Sequence, residues 1–269
     1  MSPELRTALD VAALRSNVAA PWQRIDVVAE TGSTNADLLA RAAAGADIAG
    51  TVLLTEFQSS GRGRHGRSWS AAPRSQIAMS VGVGTQGVPT DAWGWLPLLT
   101  GVAVVDALAV ACPAVPAGLK WPNDVLVGTG KLAGILAEVA APSPQIVVGL
   151  GLNVSLTSQE APDPRATSLT QHGADVDRTE LACGILNALG TRIGAWRAAG
   201  GADEALVRDY RAHSLTLGTE VRATLPGDRA VVGTATDIDR FGRLLIDDGT
   251  TTVTVAAGDI THLRPADTA

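Results

Sequence analysis

The chain has 269 residues, a formal net charge of −6 and a hydrophobic content of 46%, and 18% of its residues are charged. These values are typical of a soluble globular protein with one large domain and a small one. The acidic balance argues against a protein built to neutralise a nucleic-acid backbone. The N-terminus lacks the apolar core of a signal peptide, and the longest apolar run, Gly101–Cys112, is shorter than the roughly 20 residues that span a bilayer. We therefore expect a cytoplasmic protein.

The first half of the chain predicts a helical arm followed by strands and helices that alternate. The arm covers residues 3–15, and Ser33 or Thr34 suits the N-cap of the next helix. In chain order we expect a strand at 24–30, a helix at 35–44, a buried strand at 51–57, a glycine-rich loop at 59–75, a strand at 76–84 and an apolar helix at 95–111.

The block over residues 118–153 contains four short apolar runs that tight turns separate, and GTGK has the composition of a hairpin turn. Adjacent antiparallel pieces without intervening helices favour a mixed sheet over a doubly wound parallel one. A polar loop at 155–175 and two helices at 179–199 and 203–213 complete this part.

Residues after 217 form five short strand candidates that turn signals separate. About fifty residues of this kind predict a small closed β-barrel, SH3-like in size. We therefore expect an α+β protein with an arm at 1–22, a main domain at 23–216 and a small β domain at 217–269.

Four segments share chemistry while lying on different predicted elements: TGSTN (31–35), EFQSSGRGRHGRSW (56–69), KWPND…GKLAGIL (120–136) and GLGLN (149–153). Glycines let backbone N–H groups approach an anion closely, and arginines supply bidentate donors to phosphate or carboxylate. Neutral polar groups at strand ends suit an uncharged ligand that forms hydrogen bonds. Each segment alone is also compatible with a helix cap, a solvated loop or a turn, but together they describe one pocket.

Only two of the 21 basic residues are lysines, Lys120 and Lys131, and both lie in LKWPNDVLVGTGKLAGIL. Lysine carries a compact, rotatable ammonium group that the planar guanidinium of arginine does not imitate. Chance is one explanation of this pair. The other is a site at which the geometry of the cation matters.

In order and spacing, GSTN, EFQSSGRGRHGRSW, KWPNDV, KLAGIL and GLGLN resemble the motifs of the biotin protein ligases. The resemblance covers residues 24–155 by motif, and the small β-rich tail extends it towards the C-terminus. It implies a mixed-sheet ligase domain related to class II aminoacyl-tRNA synthetases, followed by an SH3-like β-barrel. It also implies a monofunctional ligase that does not bind DNA, because residues 1–22 are too few for the winged helix-turn-helix domain of bifunctional members.

The resemblance implies a reaction in two steps. Biotin and MgATP give biotinyl-5′-AMP and pyrophosphate, and biotin then passes to one lysine of a biotin carboxyl carrier protein domain of a biotin-dependent carboxylase. Because the biotin carboxylate and the α-phosphate are both anions, the site must screen their repulsion with cations. Neither a nucleic acid nor a membrane is an expected partner, and the oligomeric state stays open.

The resemblance also implies roles for individual residues. Lys131, between the biotin carboxylate and the α-phosphate, is catalytic together with Arg64 and Lys120, and Asp124 is a ligand of Mg²⁺. The biotin-binding set is Ser33, Thr34, Asn35, Gln58, Gly61, Arg62, Gly63, Arg64 and Lys131. The ATP-binding set is Arg62, Arg67, Trp69, Lys120, Asn123, Asp124, Lys131 and Asn153. The glycine-rich loop at 59–75, which contains Arg62–Arg64 and is called the arginine loop below, is expected to order over biotin and the adenylate as a lid.

Two alternatives compete with this interpretation. A lipoate–protein ligase shares the catalytic fold and the adenylation chemistry, but it lacks the pairing of GRGRHGR with KWPND. A nucleic-acid-binding protein that uses the arginine loop and the terminal barrel is opposed by the net charge of −6.

Overall fold

The computed structural model describes residues 6–142, 144–225, 229–256 and 258–262. The helices are α1 Val11–Asn17, α2 Thr34–Ala43, α3 Trp95–Ala111, α4 Arg178–Ala199 and α5 Glu204–His213. The strands of the main domain are β1 Arg24–Val28, β2 Thr51–Thr55, β3 Gly61–Arg62, β4 Ser68–Trp69, β5 Gln76–Gly84, β6 Ala117–Lys120, β7 Asp124–Val127, β8 Gly130–Ala140 and β9 Gln145–Asn153. The strands of the tail are β10 Glu220–Leu225, β11 Arg229–Ile238, β12 Leu244–Asp247, β13 Thr252–Val255 and β14 Asp259–His262.

The helix predicted at 3–15 is confirmed at residues 11–15, which lie in α1, and is wrong at residues 6–10. Residues 6–10 are not helical, and α1 begins only after Asp10, whose carboxylate accepts hydrogen bonds from the backbone N–H groups of Ala12 and Ala13. A side chain that satisfies these otherwise unpaired donors favours a helix start at this residue. The remainder of the predicted arm, residues 1–5, lies outside the described residues.

A seven-stranded sheet in the order β1-β2-β5-β9-β8-β7-β6 forms the centre of the main domain. Only the β1–β2 pair is parallel, and the other five pairs are antiparallel. The mixed sheet is therefore confirmed, as is the hairpin between β7 and β8. The β5 and α3 boundaries coincide with the predicted strand at 76–84 and helix at 95–111.

The two faces of this sheet are covered differently. Helices α3 and α4 pack on one face and build the large core, whereas α2 covers only part of the other face through a small cluster that includes Leu38, Leu53 and Val147. Ser33 caps α2, as the sequence predicted, by accepting a hydrogen bond from the N–H of Ala36. The part of this face that α2 leaves uncovered is available for a ligand.

The helical stretch over residues 90–111, in which a 3₁₀ turn precedes α3, is long and apolar enough to cross a membrane. However, 67% of its most apolar window is buried inside the protein. Burial of this kind is typical of a core helix, which passes the same length and composition test.

The tail forms an antiparallel five-stranded sheet in the order β13-β12-β11-β10-β14, which confirms the small β domain. Among the described residues no β-ladder joins β13 to β14, so the hydrogen bonding that would close the predicted barrel is not observed there. The tail packs on the main domain, since the indoles of Trp95 and Trp121 donate to the carbonyls of Arg240 and Gly242 at 2.9 and 3.0 Å. These contacts bring β14 to the rim of the uncovered sheet face.

Candidate active site

A cavity of about 790 Å³ lies on the uncovered sheet face, between the start of α2, the arginine loop, the β6–β7 turn and β14. It joins all four predicted segments. Fourteen of the fifteen residues in the two predicted ligand sets line it: Ser33, Thr34, Asn35, Gln58, Arg62, Gly63, Arg64, Arg67, Trp69, Lys120, Asn123, Asp124, Lys131 and Asn153.

Gly61 is the one predicted site residue that does not line this cavity. It pairs with Trp69 across the short β3–β4 ladder, where a Cβ would lie 2.3 Å from the carbonyl oxygen of Trp69. A glycine is therefore required here by the close approach of two backbones. Its structural role is to let the ladder form behind Trp69.

Three glycines form the floor of the cavity. Gly149 and Gly151 are two residues apart on β9 and therefore lie on one face of the sheet, and Gly134 is the partner of Gly151 on β8. A Cβ on Gly151 would lie 2.3 Å from the Trp69 indole nitrogen, and a Cβ on Gly149 would lie 2.1 Å from Asn35 Oδ1. The glycines thus allow Trp69 and Asn35 to lie directly on the strands.

One end of the cavity is neutral and buried. Gln58 Oε1 accepts the backbone N–H of Thr34 at 2.9 Å, and the Thr34 hydroxyl lies 2.6 Å from that of Ser80. Ser80 donates to Asn35 Oδ1 at 2.6 Å. This end offers hydroxyl and amide groups without a net charge, which suits a neutral polar ring.

Lys131 lies at the opposite, charged end. The β7–β8 ladder shifts register between Val125 and Leu126, which places one extra residue in β8 next to Lys131. A β-bulge re-aims a side chain, and Lys131 Nζ accordingly lies 3.4 Å from the position of a Cβ on Gly134, on the cavity face. Without the bulge, residues 131 and 134 would point to opposite faces.

The ammonium of Lys131 has two close neighbours. Its Nζ is 2.7 Å from Asp124 Oδ1 and 5.6 Å from the centre of the Trp69 ring. The contact with Asp124 is an ion pair whose angles do not satisfy a hydrogen bond, because Asp124 Oδ1 has no hydrogen-bond partner among the described residues. Asp124 Oδ1 is therefore a buried carboxylate oxygen directly beside the cation.

Lys120 supplies a second ammonium to this end of the cavity. Burial lowers the pKa of Lys120, Lys131 lowers this pKa further, and Asp124 opposes both effects. Burial likewise lowers the pKa of His262, which lines the cavity from β14, and the charge of Lys120 contributes in the same direction. The ammonium groups of Lys120 and Lys131, together at one end of the cavity, are suited to binding a polyanion.

The arginine loop covers the charged end from above. Arg64 donates to Asn123 Oδ1 at 3.2 Å and to the carbonyl of Gly258 at 3.3 Å, and Arg67 donates to Asp259. His65, at the tip, has a φ of 56° in the left-handed region. The loop is thus tied to the β6–β7 turn and to β14 of the tail.

Trp69 and Asn153 mark a third subsite. The Trp69 indole donates to Gln76 Oε1 at 2.6 Å, which fixes the plane of the ring. Asn153 Nδ2 donates to the carbonyl of Thr167 at 2.9 Å, whereas the buried Asn153 Oδ1 has no hydrogen-bond partner among the described residues. An aromatic face next to a free acceptor is suited to a planar base with an amino group.

Several residues of this site are absent from the predicted sets, among them Gln76, Ser80, Glu138 and Asp259. The first two were recognisable in principle, because they are the polar residues of an otherwise apolar strand and lie four residues apart, on one face. Asp259 becomes part of the site only because the tail folds onto the main domain.

Comparison with known proteins identifies the family of this chain. The family model described as the Biotin/lipoate A/B protein ligase family matches residues 33–153, and the Biotin protein ligase C terminal domain matches residues 216–263. The Biotin--[acetyl-CoA-carboxylase] ligase of Mycobacterium tuberculosis is 54% identical over 97% of this chain and 98% of its own length. This chain belongs to the biotin protein ligase family.

Two further ligases of the family support this assignment. The bifunctional ligase/repressor BirA of Bacillus subtilis is 32% identical over 74% of this chain, and the match spans 62% of the BirA chain. A biotin protein ligase from Aquifex aeolicus, solved in complex with biotin and ATP, has 26% identity and a TM-score of 0.77 and covers 90% of this chain and 100% of its own. The predicted fold class is therefore confirmed along with the family.

Proposed function

We propose that this chain activates biotin with ATP to biotinyl-5′-AMP and then transfers biotin to a lysine of a carboxylase carrier domain. The observation that carries the proposal is the joining of a neutral, hydrogen-bonding end and a cationic end in one cavity, with Lys131 on its floor. Biotin has matching ends, a neutral ureido ring and a carboxylate. The M. tuberculosis relative bears the name of this activity.

In the first step, a biotin carboxylate oxygen attacks the α-phosphorus of ATP, and the bond from this phosphorus to the pyrophosphate oxygen breaks. Lys131 stabilises the negative charge that the two anionic reactants bring together, since a positioned cation in a water-poor site stabilises such a transition state.

The ureido end of biotin is held by Ser33, Thr34, Gln58 and Asn35. Trp69 and Asn153 hold the adenine, and Lys120, Arg62, Arg64 and Arg67 surround the phosphates.

In the second step, the carrier lysine amine attacks the acyl carbon, the acyl–phosphate bond breaks, and AMP leaves. The amine proton passes to solvent or to AMP. The arginine loop excludes water from the mixed anhydride until then, because Arg64 and Arg67 hold it against Asn123, Gly258 and Asp259.

Magnesium fits this site through Asp124. The described residues contain no group of three His, Cys, Asp or Glu side chains that could hold a metal on their own. Mg²⁺ commonly binds through one carboxylate and substrate phosphates, and the Asp124 carboxylate, beside Lys131 in the cavity lining, is such a group. When bound, Mg²⁺ would neutralise phosphate charge.

We further propose that the protein acts in the cytoplasm without a nucleic-acid or membrane partner. Cys112 and Cys183 are both free and buried, as expected where thiols stay reduced. The rival lipoate ligase shares the family, but the relative that covers 97% of this chain is a biotin ligase.

The decisive experiment is transfer of labelled biotin to a purified carrier domain with and without ATP. We expect label in the carrier only with ATP, and biotin-dependent exchange of pyrophosphate into ATP without the carrier. Exchange that depends on lipoate instead of biotin would contradict the proposal. Salt-sensitive DNA binding without exchange would favour the nucleic-acid alternative.

A further inference from the structure

A carboxylate lies behind the neutral end of the cavity, on β8. Glu138 Oε2 accepts a hydrogen bond from Asn35 Nδ2 at 2.8 Å, and its Oε1 lies 3.6 Å from Arg62. About a quarter of the Glu138 side chain is exposed, at 26%. Glu138 does not line the cavity, so it acts on a ligand only through its neighbours.

The amide of Asn35 has one possible orientation. Its Nδ2 donates to the carbonyl of Leu136 at 3.2 Å and to Glu138, and its Oδ1 accepts from Ser80 at 2.6 Å. The flipped amide would turn its oxygen towards a carbonyl and a carboxylate, which are both acceptors only. Glu138, together with the Leu136 carbonyl, therefore fixes Oδ1 towards Ser80.

This orientation sets the direction of the next two hydroxyl groups. Each hydroxyl has one proton, and that of Ser80 is used on Asn35. The 2.6 Å contact between Thr34 and Ser80 then requires Thr34 to donate. The alternative acceptor for the Thr34 proton, Gln58 Oε1, lies farther away at 3.1 Å and already accepts the Thr34 N–H.

We propose that Glu138 is a positioning residue that makes the Thr34 hydroxyl an acceptor towards the ligand. In the relay, the chain of hydrogen bonds from Thr34 through Ser80 and Asn35, each donated proton points towards the Glu138 carboxylate. A lone pair of Thr34 Oγ1 therefore faces the cavity. Gln58 Oε1 is occupied in the same way, which leaves the Gln58 NH₂ group as a donor. An acceptor beside a donor complements the N–H and C=O of a cyclic urea. The inference rests on the proposed activation of biotin and adds the group that orients its ureido subsite.

The first test is Glu138→Gln, measured by biotin-dependent pyrophosphate exchange. A glutamine can rotate to donate to Asn35, so only the Leu136 carbonyl still opposes the flipped amide and the direction of the relay is weakened. We expect the KM for biotin to rise about tenfold, the effect of one charge-assisted hydrogen bond, with kcat, the KM for ATP and the thermal midpoint unchanged. A biotin KM equal to that of the parent protein would overturn the inference.

The matched control is Asp26→Asn on β1. Asp26, like Glu138, is a carboxylate near an arginine, and it accepts hydrogen bonds from Arg24 and Arg41, but it lies far from the Asn35 relay and outside the cavity lining. The same exchange of charge for amide should leave the KM for biotin unchanged. An equal rise in both variants would attribute the effect to net charge and would contradict the inference.

A double variant separates the relay from the Glu138–Arg62 contact. Asn35→Asp alone sets two carboxylates against each other and should raise the KM for biotin more than Glu138→Gln does. Asn35→Asp combined with Glu138→Gln restores a donor at 138, an acceptor at 35 and the original direction of Ser80, although the Leu136 carbonyl has lost its donor and the charge beside Arg62 stays removed. We expect the double variant to recover part of the biotin KM relative to Asn35→Asp alone, and no recovery would overturn the inference.

These outcomes are distinct from failure of the proposed function. If the parent protein shows no biotin-dependent exchange, biotin activation itself is wrong. If the parent and all variants exchange with one biotin KM, biotin activation stands and only the role of Glu138 is wrong.

Discussion

The two ends of the cavity are built on opposite principles. At the neutral end, Thr34, Ser80 and Asn35 satisfy one another, and most of their hydrogen-bonding capacity is used before a ligand arrives. At the charged end, Lys120 is a half-buried cation whose pKa burial lowers, and Asp124 Oδ1 forms an ion pair with Lys131 but has no hydrogen-bond partner among the described residues. The neutral end selects a ligand by its shape and its pattern of hydrogen-bond donors, whereas the charged end keeps charged groups available for a reaction.

The largest effect is expected at the charged end, from Lys131→Arg. The guanidinium keeps the charge, but it does not fit the narrow position of Nζ between Asp124 and the Gly134 floor. Formation of biotinyl-AMP should fall about 100-fold or more, as for loss of one group that stabilises transition-state charge. Pyrophosphate exchange measures this.

Lys131→Arg has a conservative counterpart. Arg197→Lys is the control: it makes the reverse substitution, arginine to lysine, on the exposed last turn of α4 and outside the cavity. This variant should leave activity unchanged. Adenylation at the parent rate in the Lys131→Arg variant would remove Lys131 from the reaction and weaken the contrast between the two ends.

The next effect concerns the lid, in Arg64→Gly. Arg64 makes two hydrogen bonds that tie the loop to Asn123 and Gly258, so their loss should open the charged end to solvent. We expect the half-life of biotinyl-AMP on the enzyme to shorten about tenfold. Rapid filtration of labelled adenylate measures it, and an unchanged half-life argues against a lid.

Arg74→Gly provides the control for Arg64→Gly, because it makes the same substitution within the predicted loop at 59–75. Arg74 is exposed, does not line the cavity and has a φ of 59°, a conformation that glycine adopts readily. The half-life of the adenylate should therefore stay unchanged.

An effect of similar size, but confined to biotin binding, is expected at the neutral end, from Gly149→Ala. The added Cβ would lie 2.1 Å from Asn35 Oδ1, so the relay must shift. The KM for biotin should rise about tenfold, in keeping with the cost of overpacking, while the KM for ATP stays unchanged. In the control Gly184→Ala the new Cβ meets nothing closer than 3.8 Å, and both KM values should match the parent.

The smallest effect on activity is expected from Glu160→Gln. Glu160 accepts two hydrogen bonds from Arg6, and mainly for this reason its pKa is lowered to about 2. Because the pKa in the folded state lies below the unfolded value of 4.5, the ionised carboxylate stabilises the fold at pH values above 4.5. This contribution to stability is lost as the pH falls towards 2. The variant should lose about 2 kcal/mol of unfolding free energy at pH 7, and the loss should disappear as the pH approaches 2.

Urea unfolding at several pH values measures this loss, and activity at pH 7 should not change. Asp175→Asn, at an exposed carboxylate before α4, is the control and should leave stability nearly unchanged. A difference for Glu160→Gln that persists to pH 2 would show that packing, and not the Arg6 ion pair, is responsible.

Much of the local structure followed from the sequence. The strand at 76–84 and the helix at 95–111 were predictable to the residue, because glycine and proline turns bound long apolar runs. The arm was not, since the predicted helix at 3–15 depended on composition, whereas one capping side chain, Asp10, sets the observed start. The domain boundaries and the role of each site residue stay predictions.

By itself, the sequence determined the family, the mixed sheet and most of the cavity lining, because these depend on motifs, strand periodicity and turn residues that are local in the chain. Only the tertiary structure decided where the key groups point. The bulge that turns Lys131 onto the cavity face depends on pairing with β7, and Glu138 meets Asn35 across 103 residues of sequence. Such directions depend on the register between strands and on packing between distant segments, which no local pattern records.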